Sequence, residues 1–156
     1  MQKTHYLQQE FCKQLAAIPP DTRPLFGKMN VLQMVEHMGY AFQQASGRIP
    51  LDPVHDEATT EKMYAFMISE RPFKDNTPNP YLPDEPDAPK HITLPDAIAS
   101  LQRDIDYFFQ HFQHQPDARV LNPFFGNLTF EEWVHLLHKH AAHHLRQFGV
   151  SIQAQS

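Results

Sequence analysis

The chain has a single cysteine (Cys12), only five glycines and no surplus of positive charge. Each shortage closes off a class of protein. One thiol cannot form an intramolecular disulfide, which suits a reducing compartment and removes the disulfide-stapled scaffolds. So few glycines argue against a turn-rich sheet protein. The formal charge is −5 with histidine neutral, so no basic face is on hand for nucleic acid or an anionic membrane. No apolar run approaches the ~18 residues of a membrane span. The first ten residues, M-Q-K-T-H-Y-L-Q-Q-E, lack the apolar core of a signal peptide. The expectation is a cytoplasmic protein folded as one domain over residues 1–156, large enough for a sizeable core.

Histidine, by contrast, is abundant, with eleven in the chain. If all were free to titrate, the net charge would turn positive below about pH 6.5. Five crowd into one stretch: His135, His138, His140, His143 and His144. The stretch has helical spacing. At about 100° per residue, with Trp133 at zero, His140 and His144 fall within about 20° of the tryptophan. Leu137 and Phe148 share that side, whereas His135 and His138 point away and are expected to face solvent.

Apolar periodicity sets out the rest of the chain. Leu7, Phe11, Leu15 and Ile18 predict a helix over Thr4–Ala17, ended by Pro19-Pro20. Asn30, with Gln33 three residues on, forms a capping-box pattern before the stripe Val31, Met34, Met38, Ala41 and Ala45. A third, short helix is expected from about Glu57 to Ser69. Residues 71–92 hold six prolines (Pro72, Pro78, Pro80, Pro83, Pro86 and Pro89) and read as a long loop, either a lid or an extended crossover. Thr93 caps a helix whose residues Ile98, Leu101, Ile105, Phe108 and Phe112 trace a bundle seam. A turn is expected over Gln115–Asn127. Thr129 and Glu132 then make a T-x-x-E box for the last helix, which Gly149 ends. Together these give an all-α antiparallel bundle of four or five helices.

Two imidazoles four residues apart on an inward face need a partner, and a metal ion suits that spacing. His37 is the best third ligand. With Met34 at zero it lies at about −60°, turned toward a neighbouring helix. Three histidines leave coordination positions open, which is the catalytic pattern rather than the closed structural one. Zinc, nickel and ferrous iron all accept imidazole. The bland alternative is a set of half-buried histidines bonded to backbone carbonyls or to Gln33 and Gln147. H-E-x-x-H is absent, because residues 141 and 142 are alanines. Gln33 and Gln147 lie one turn from His37 and His144 and could orient a ligand or substrate. Tyr40, one turn after His37, is a candidate proton donor, and Glu36 and His143 are candidate bases of weaker phase. His111 and His114 read as solvated, His5, His55 and His91 as isolated, and Cys12 as packed between Leu7 and Leu15.

Three stretches, F-G-K-M-N-V-L-Q-M-V-E-H-M (26–38), N-P-F-F-G-N-L-T-F-E-E-W (122–133) and K-H-A-A-H-H-L-R-Q-F-G (139–149), resemble the DinB/YfiT-like superfamily. Within it they look like a branch catalogued as a domain of unknown function. The resemblance runs from about residue 22 to the end and includes the T-P-x-x-x-x-P segment at 77–83. It implies a four-helix bundle of up-down-down-up type, with an extra short helix and the long proline-rich loop, often paired as a homodimer. It also implies a divalent metal, here zinc or nickel first and iron as a further choice, held by one histidine of the second helix and an H-x-x-x-H pair of the last. The matching residues are His37, His140 and His144. Asn122 stands where the family pattern leads one to expect histidine. The activities implied are thiol-dependent transfer or hydrolysis on a small-molecule substrate, with a low-molecular-weight thiol as cosubstrate. The competing reading is a metal-binding or purely structural dimerisation module without turnover.

Overall fold

The computed structural model describes residues 2–75 and 85–152. Helix α1 (residues 2–16) is α-helical over Gln2–His5, π-helical over Tyr6–Glu10 and α-helical again over Phe11–Ala16. In the wide turn Phe11 N–H donates to the Tyr6 carbonyl. Tyr6, Leu7, Phe11 and Leu15 are all buried along this helix. The sequence spacing predicted the helix but not this local change of pitch.

Helix α2 is Val31–Ala45, and the Asn30–Gln33 capping box forms in both directions. Helix α3 is Glu57–Ile68, capped by Asp56. Helix α4 is Leu94–His114, with Thr93 accepting from Asp96 N–H. Helix α5 is Phe130–Gln147, with the Thr129–Glu132 box complete. Each of these boundaries lies within a residue or so of its sequence signal. Among the described residues of the 71–92 stretch, 71–75 and 85–92 are outside regular helix. The T-P-x-x-x-x-P segment and the centre of the supposed lid lie outside the described residues.

The chain is not all-α. Where a plain turn was expected, β1 (Val120–Asn122) and β2 (Gly126–Leu128) pair antiparallel, with Val120 opposite Leu128 and Asn122 opposite Gly126. Three-residue strands are too short for a period of two to show in a sequence. Asn122 organises the hairpin. Its side-chain oxygen accepts from Phe124 N–H at 2.9 Å and Phe125 N–H at 3.2 Å, the asparagine-turn geometry. Gly126 follows at φ 92°, a value that favours glycine. Trp133 Nε1 donates to the Val120 carbonyl at 3.0 Å and ties the hairpin to α5.

The seam of α4 (Leu101, Ile105, Phe108, Phe112) packs with Met34, Met38 and Phe42 of α2 and Trp133, Leu137 and Leu145 of α5 in one apolar core. Inter-helix contacts fix how the helices run. Lys3 Nζ meets His135 Nδ1 at 2.9 Å, the Tyr6 ring sits 5.5 Å from that of His138, and Gln14 donates to the Ser151 carbonyl. The contacts therefore advance in the same sense along α1 and α5. Glu36 meets residues 90–91 and Gln43 meets Asp104, again in the same sense for α2 and α4. Gln147 reaches Phe26 while His140 reaches His37, so α2 and α5 run oppositely. The last relation brings the histidine of α2 to the face of α5 that carries the i, i+4 pair. No helix of the described residues is long and apolar enough to cross a membrane.

Candidate metal centre

His37, His140 and His144 each turn a ring nitrogen toward one point, and these three nitrogens lie within 4.8 Å of one another. His37 Nε2 is 3.2 Å from His140 Nε2, and His140 Nε2 is 3.0 Å from His144 Nε2. Ligand nitrogens ~2.0–2.1 Å from a tetrahedral zinc would stand about 3.3 Å apart, so these rings need little movement to share an ion. Helical phase alone accounts for the convergence: one turn separates His140 from His144, and α2 crosses at that level.

Hydrogen-bond logic sharpens the point. Gln147 Nε2 donates to the Phe26 carbonyl at 3.0 Å, which fixes the amide orientation. Its oxygen therefore faces His144 Nδ1, at 2.9 Å, and that nitrogen must carry the proton. His144 Nε2 is then an acceptor, so His140 Nε2 must donate to it. With its proton spent there, His140 Nε2 has no lone pair for His37 Nε2. A single proton must then serve both neighbours of His140 Nε2, whereas one cation would take a lone pair from each of the three rings.

Adding protons is disfavoured. Burial, then the nearby His143, lowers the pKa of His37 to about 4. Burial, then the charge of neighbouring histidines, puts His140 and His144 well below 6.5. The rings stay neutral, which is the metal-ligating form. The chain-wide charge reversal expected from eleven free histidines is corrected accordingly: burial first, then Lys3, lowers His138 to about 4 as well.

The other candidate residues divide. Gln147 stands directly behind His144. His143 lies beside the cluster, its ring 5.0 Å from that of His144 and 5.3 Å from Phe26. Burial, then Arg146, lowers its pKa. Gln33 is not free to hold a ligand, because its oxygen completes the cap of α2 and its nitrogen donates to the Asp87 carbonyl at 2.8 Å. Tyr40 is half-buried and hydrogen-bonds to none of the three histidines. Glu36 is no candidate base. Burial alone would raise its carboxyl, but bonds from the N–H groups of Lys90 and His91 and from the His91 ring hold it below the usual range. His91 is thus not isolated. His135 and His138 do not face solvent either, since α1 covers them: His135 contacts Lys3 and the Ser69 carbonyl, and His138 packs edge-on to Tyr6. Cys12 is half-buried, and burial pushes its thiol up to about 12, which leaves little thiolate at neutral pH.

Three residues carried no sequence signal. Phe73 lies 6.5 Å from the His140 ring and 6.3 Å from that of His143. Arg146 donates to the Phe73 carbonyl and to Asp75. Lys139 is buried and donates to the carbonyls of Phe66, Met67 and Ser69, closing the end of α3. Only a buried lysine in an otherwise apolar phase could have flagged Lys139, and a solvated reading of it is equally consistent with the sequence. Two clefts open elsewhere, one between the end of α1 and Phe148, the other between α3 and the hairpin; neither is lined by the cluster.

A helical bundle with three converging neutral imidazoles is a scaffold that could hold a divalent metal. The chain belongs to the DinB superfamily, whose family model matches residues 8–148. No curated protein and no solved structure matches it.

Proposed function

We propose that the protein is a divalent-metal-dependent enzyme of the DinB superfamily, with His37, His140 and His144 as its ligands and thiol-dependent transfer or hydrolysis as its reaction class. The observation that carries this is the proton count of the cluster: three buried neutral nitrogens, two of them facing the single proton of His140 Nε2. Zinc or nickel fits first and iron next, since all three accept neutral imidazole. A divalent ion held by three neutral ligands keeps its full charge and makes a bound water or thiol acidic enough to act as a nucleophile near neutral pH. The chain's own residues do the rest. Gln147 holds the His144 ring in the tautomer that leaves Nε2 free, and Phe26 and Phe73 put apolar walls beside the site.

The order of inter-helix contacts supports an up-down-down-up arrangement of α1, α2, α4 and α5. The reading includes a small-molecule substrate, a low-molecular-weight thiol as cosubstrate, a cytoplasmic location and a homodimer. Sedimentation at micromolar concentration tests the last, and a stable 18.1 kDa particle counts against it. A second reading, a metal-binding module without turnover, draws support from the two clefts lying away from the cluster. Turnover assays separate the two. Metal-loaded protein should turn over at least one member of a thiol-acceptor, ester and amide panel, and His140→Ala should turn over none. Tight metal with no turnover across the panel favours the module.

A further inference from the structure

The cleft between α3 and the hairpin has a volume of about 440 Å³. Glu57, Thr60, Glu61 and Tyr64, one turn apart along α3, line one wall. Leu121, Pro123 and Phe125 of the hairpin line the other with apolar surface. The Phe125 ring stacks 6.3 Å from that of Phe73, which lies 6.5 Å from that of His140, so aromatic rings separate the cleft from the histidine cluster. Asn122 also lines the cleft, although it is only 6% exposed. Its Oδ1 accepts from the N–H groups of Phe124 and Phe125, which fixes the amide orientation. Its Nδ2 donates to no group among the described residues. That nitrogen is not sealed in the core, because no fully buried side-chain nitrogen or oxygen of the described residues lacks a partner. It therefore opens on the cleft as a donor without an acceptor.

The α3 wall is acidic. Glu57 and Glu61 are exposed and make no hydrogen bond or ion pair among the described residues. Glu132 is already engaged, since it accepts from the Tyr64 hydroxyl and has Arg119 near it. No lysine or arginine of the described residues lines the cleft. We propose that this cleft binds a small alkylammonium that also carries a carbonyl. The carbonyl oxygen accepts from Asn122 Nδ2, the carbon chain lies along Leu121, Pro123 and Phe125, and the ammonium meets Glu57 and Glu61 beside the Tyr64 ring. Carboxylates and an aromatic ring both attract a cation, and the cleft is of a size that takes small organic ligands. The site stands whether or not the histidine cluster holds a metal.

The test is a calorimetric titration at low salt with N-(5-aminopentyl)acetamide. It is set against N-(5-hydroxypentyl)acetamide, which lacks the charge, and 1-pentylamine, which lacks the carbonyl. The first compound should bind at least about fivefold more tightly than either of the others. Glu57→Gln with Glu61→Gln, at exposed helix positions, should bring its advantage over the alcohol near one. Asn122→Asp keeps an oxygen for the Phe124 and Phe125 N–H groups but replaces the Nδ2 donor by an acceptor. It should remove the advantage over pentylamine. If Asn122→Asp does not fold, amide resonances of Thr60 and Gly126 should shift on titration of the wild type, and shifts confined to other regions would overturn the site. No saturable binding of the first compound, equal affinities for all three in the wild type, or either advantage surviving its own variant would overturn it as well.

Discussion

Gln147 uses both ends of its amide, one on the Phe26 carbonyl and one on His144. Residues in this position behind a ligand typically hold ten- to a hundredfold of the metal affinity. Gln147→Leu should therefore weaken zinc binding by about that factor in a chelator competition, with the helix intact; unchanged affinity would show that His144 needs no such support. Cys12 makes the opposite kind of prediction. With its thiol pushed up to about 12 by burial, it should resist iodoacetamide at pH 8 in the folded protein and react readily in urea. Rapid alkylation of the native state would show the thiol to be exposed. At this scale the sequence was legible where phase decides. His37, His140 and His144 meet because a single helical period points each at the same place. Gln33, Glu36 and Arg146 were not legible, because each is claimed by a backbone group or side chain far away in the chain: Asp87, residues 90–91, and residues 73–75.

Among the elements, α2 carries the one glycine in a helix interior whose replacement can be decided by magnitude. Gly39→Ala would ordinarily stabilise a helix by about 1 kcal/mol. Here an added Cβ would stand 3.0 Å from Asp104 Oδ2. That carboxylate cannot retreat freely, because Gln43 holds Oδ2 at 3.1 Å and Arg48 holds Oδ1 at 3.0 Å. Overpacking of this kind costs roughly 1–3 kcal/mol, so Gly39→Ala should lower stability or leave it level in urea denaturation. A gain of the full helix-propensity amount would mean that α2 and α4 separate more easily than their contact suggests. The caps were legible because each is written in four residues: Asn30 with Gln33, and Thr129 with Glu132. The hairpin and the π turn were not. The first depends on strands three residues long, and the second on tertiary packing of Tyr6, Leu7 and Phe11.

Across the whole molecule, burial of neutral histidines couples folding to pH. His37 and His138 are lowered to about 4, and His140 and His144 lie well below 6.5. Above the unfolded value of about 6.5 both states are neutral and no proton linkage acts. Between that pH and about 4 the unfolded chain binds protons that the folded one refuses. Stability of the metal-free protein should therefore fall with pH in that window, by up to about 1.4 kcal/mol per pH unit for each such histidine. Urea midpoints at pH 7, 6 and 5 check this, and a flat series would show the rings to be charged in the folded state. Zinc should raise the midpoint at pH 7 by stabilising only the folded chain. The apolar seam of α4 against α2 and α5 is large enough to hold the bundle without it, unlike the small domains that fold only on metal.

The central claim is that three histidines hold one ion, and metal content tests it most directly. Protein purified without a nickel column and dialysed against zinc should retain one zinc per chain, with X-ray absorption showing nitrogen ligands at ~2.0–2.1 Å. His140→Ala should lose that zinc while remaining helical. His114→Ala, at the exposed end of α4, should keep it. Equal zinc in wild type and His140→Ala would place the metal elsewhere and contradict the account.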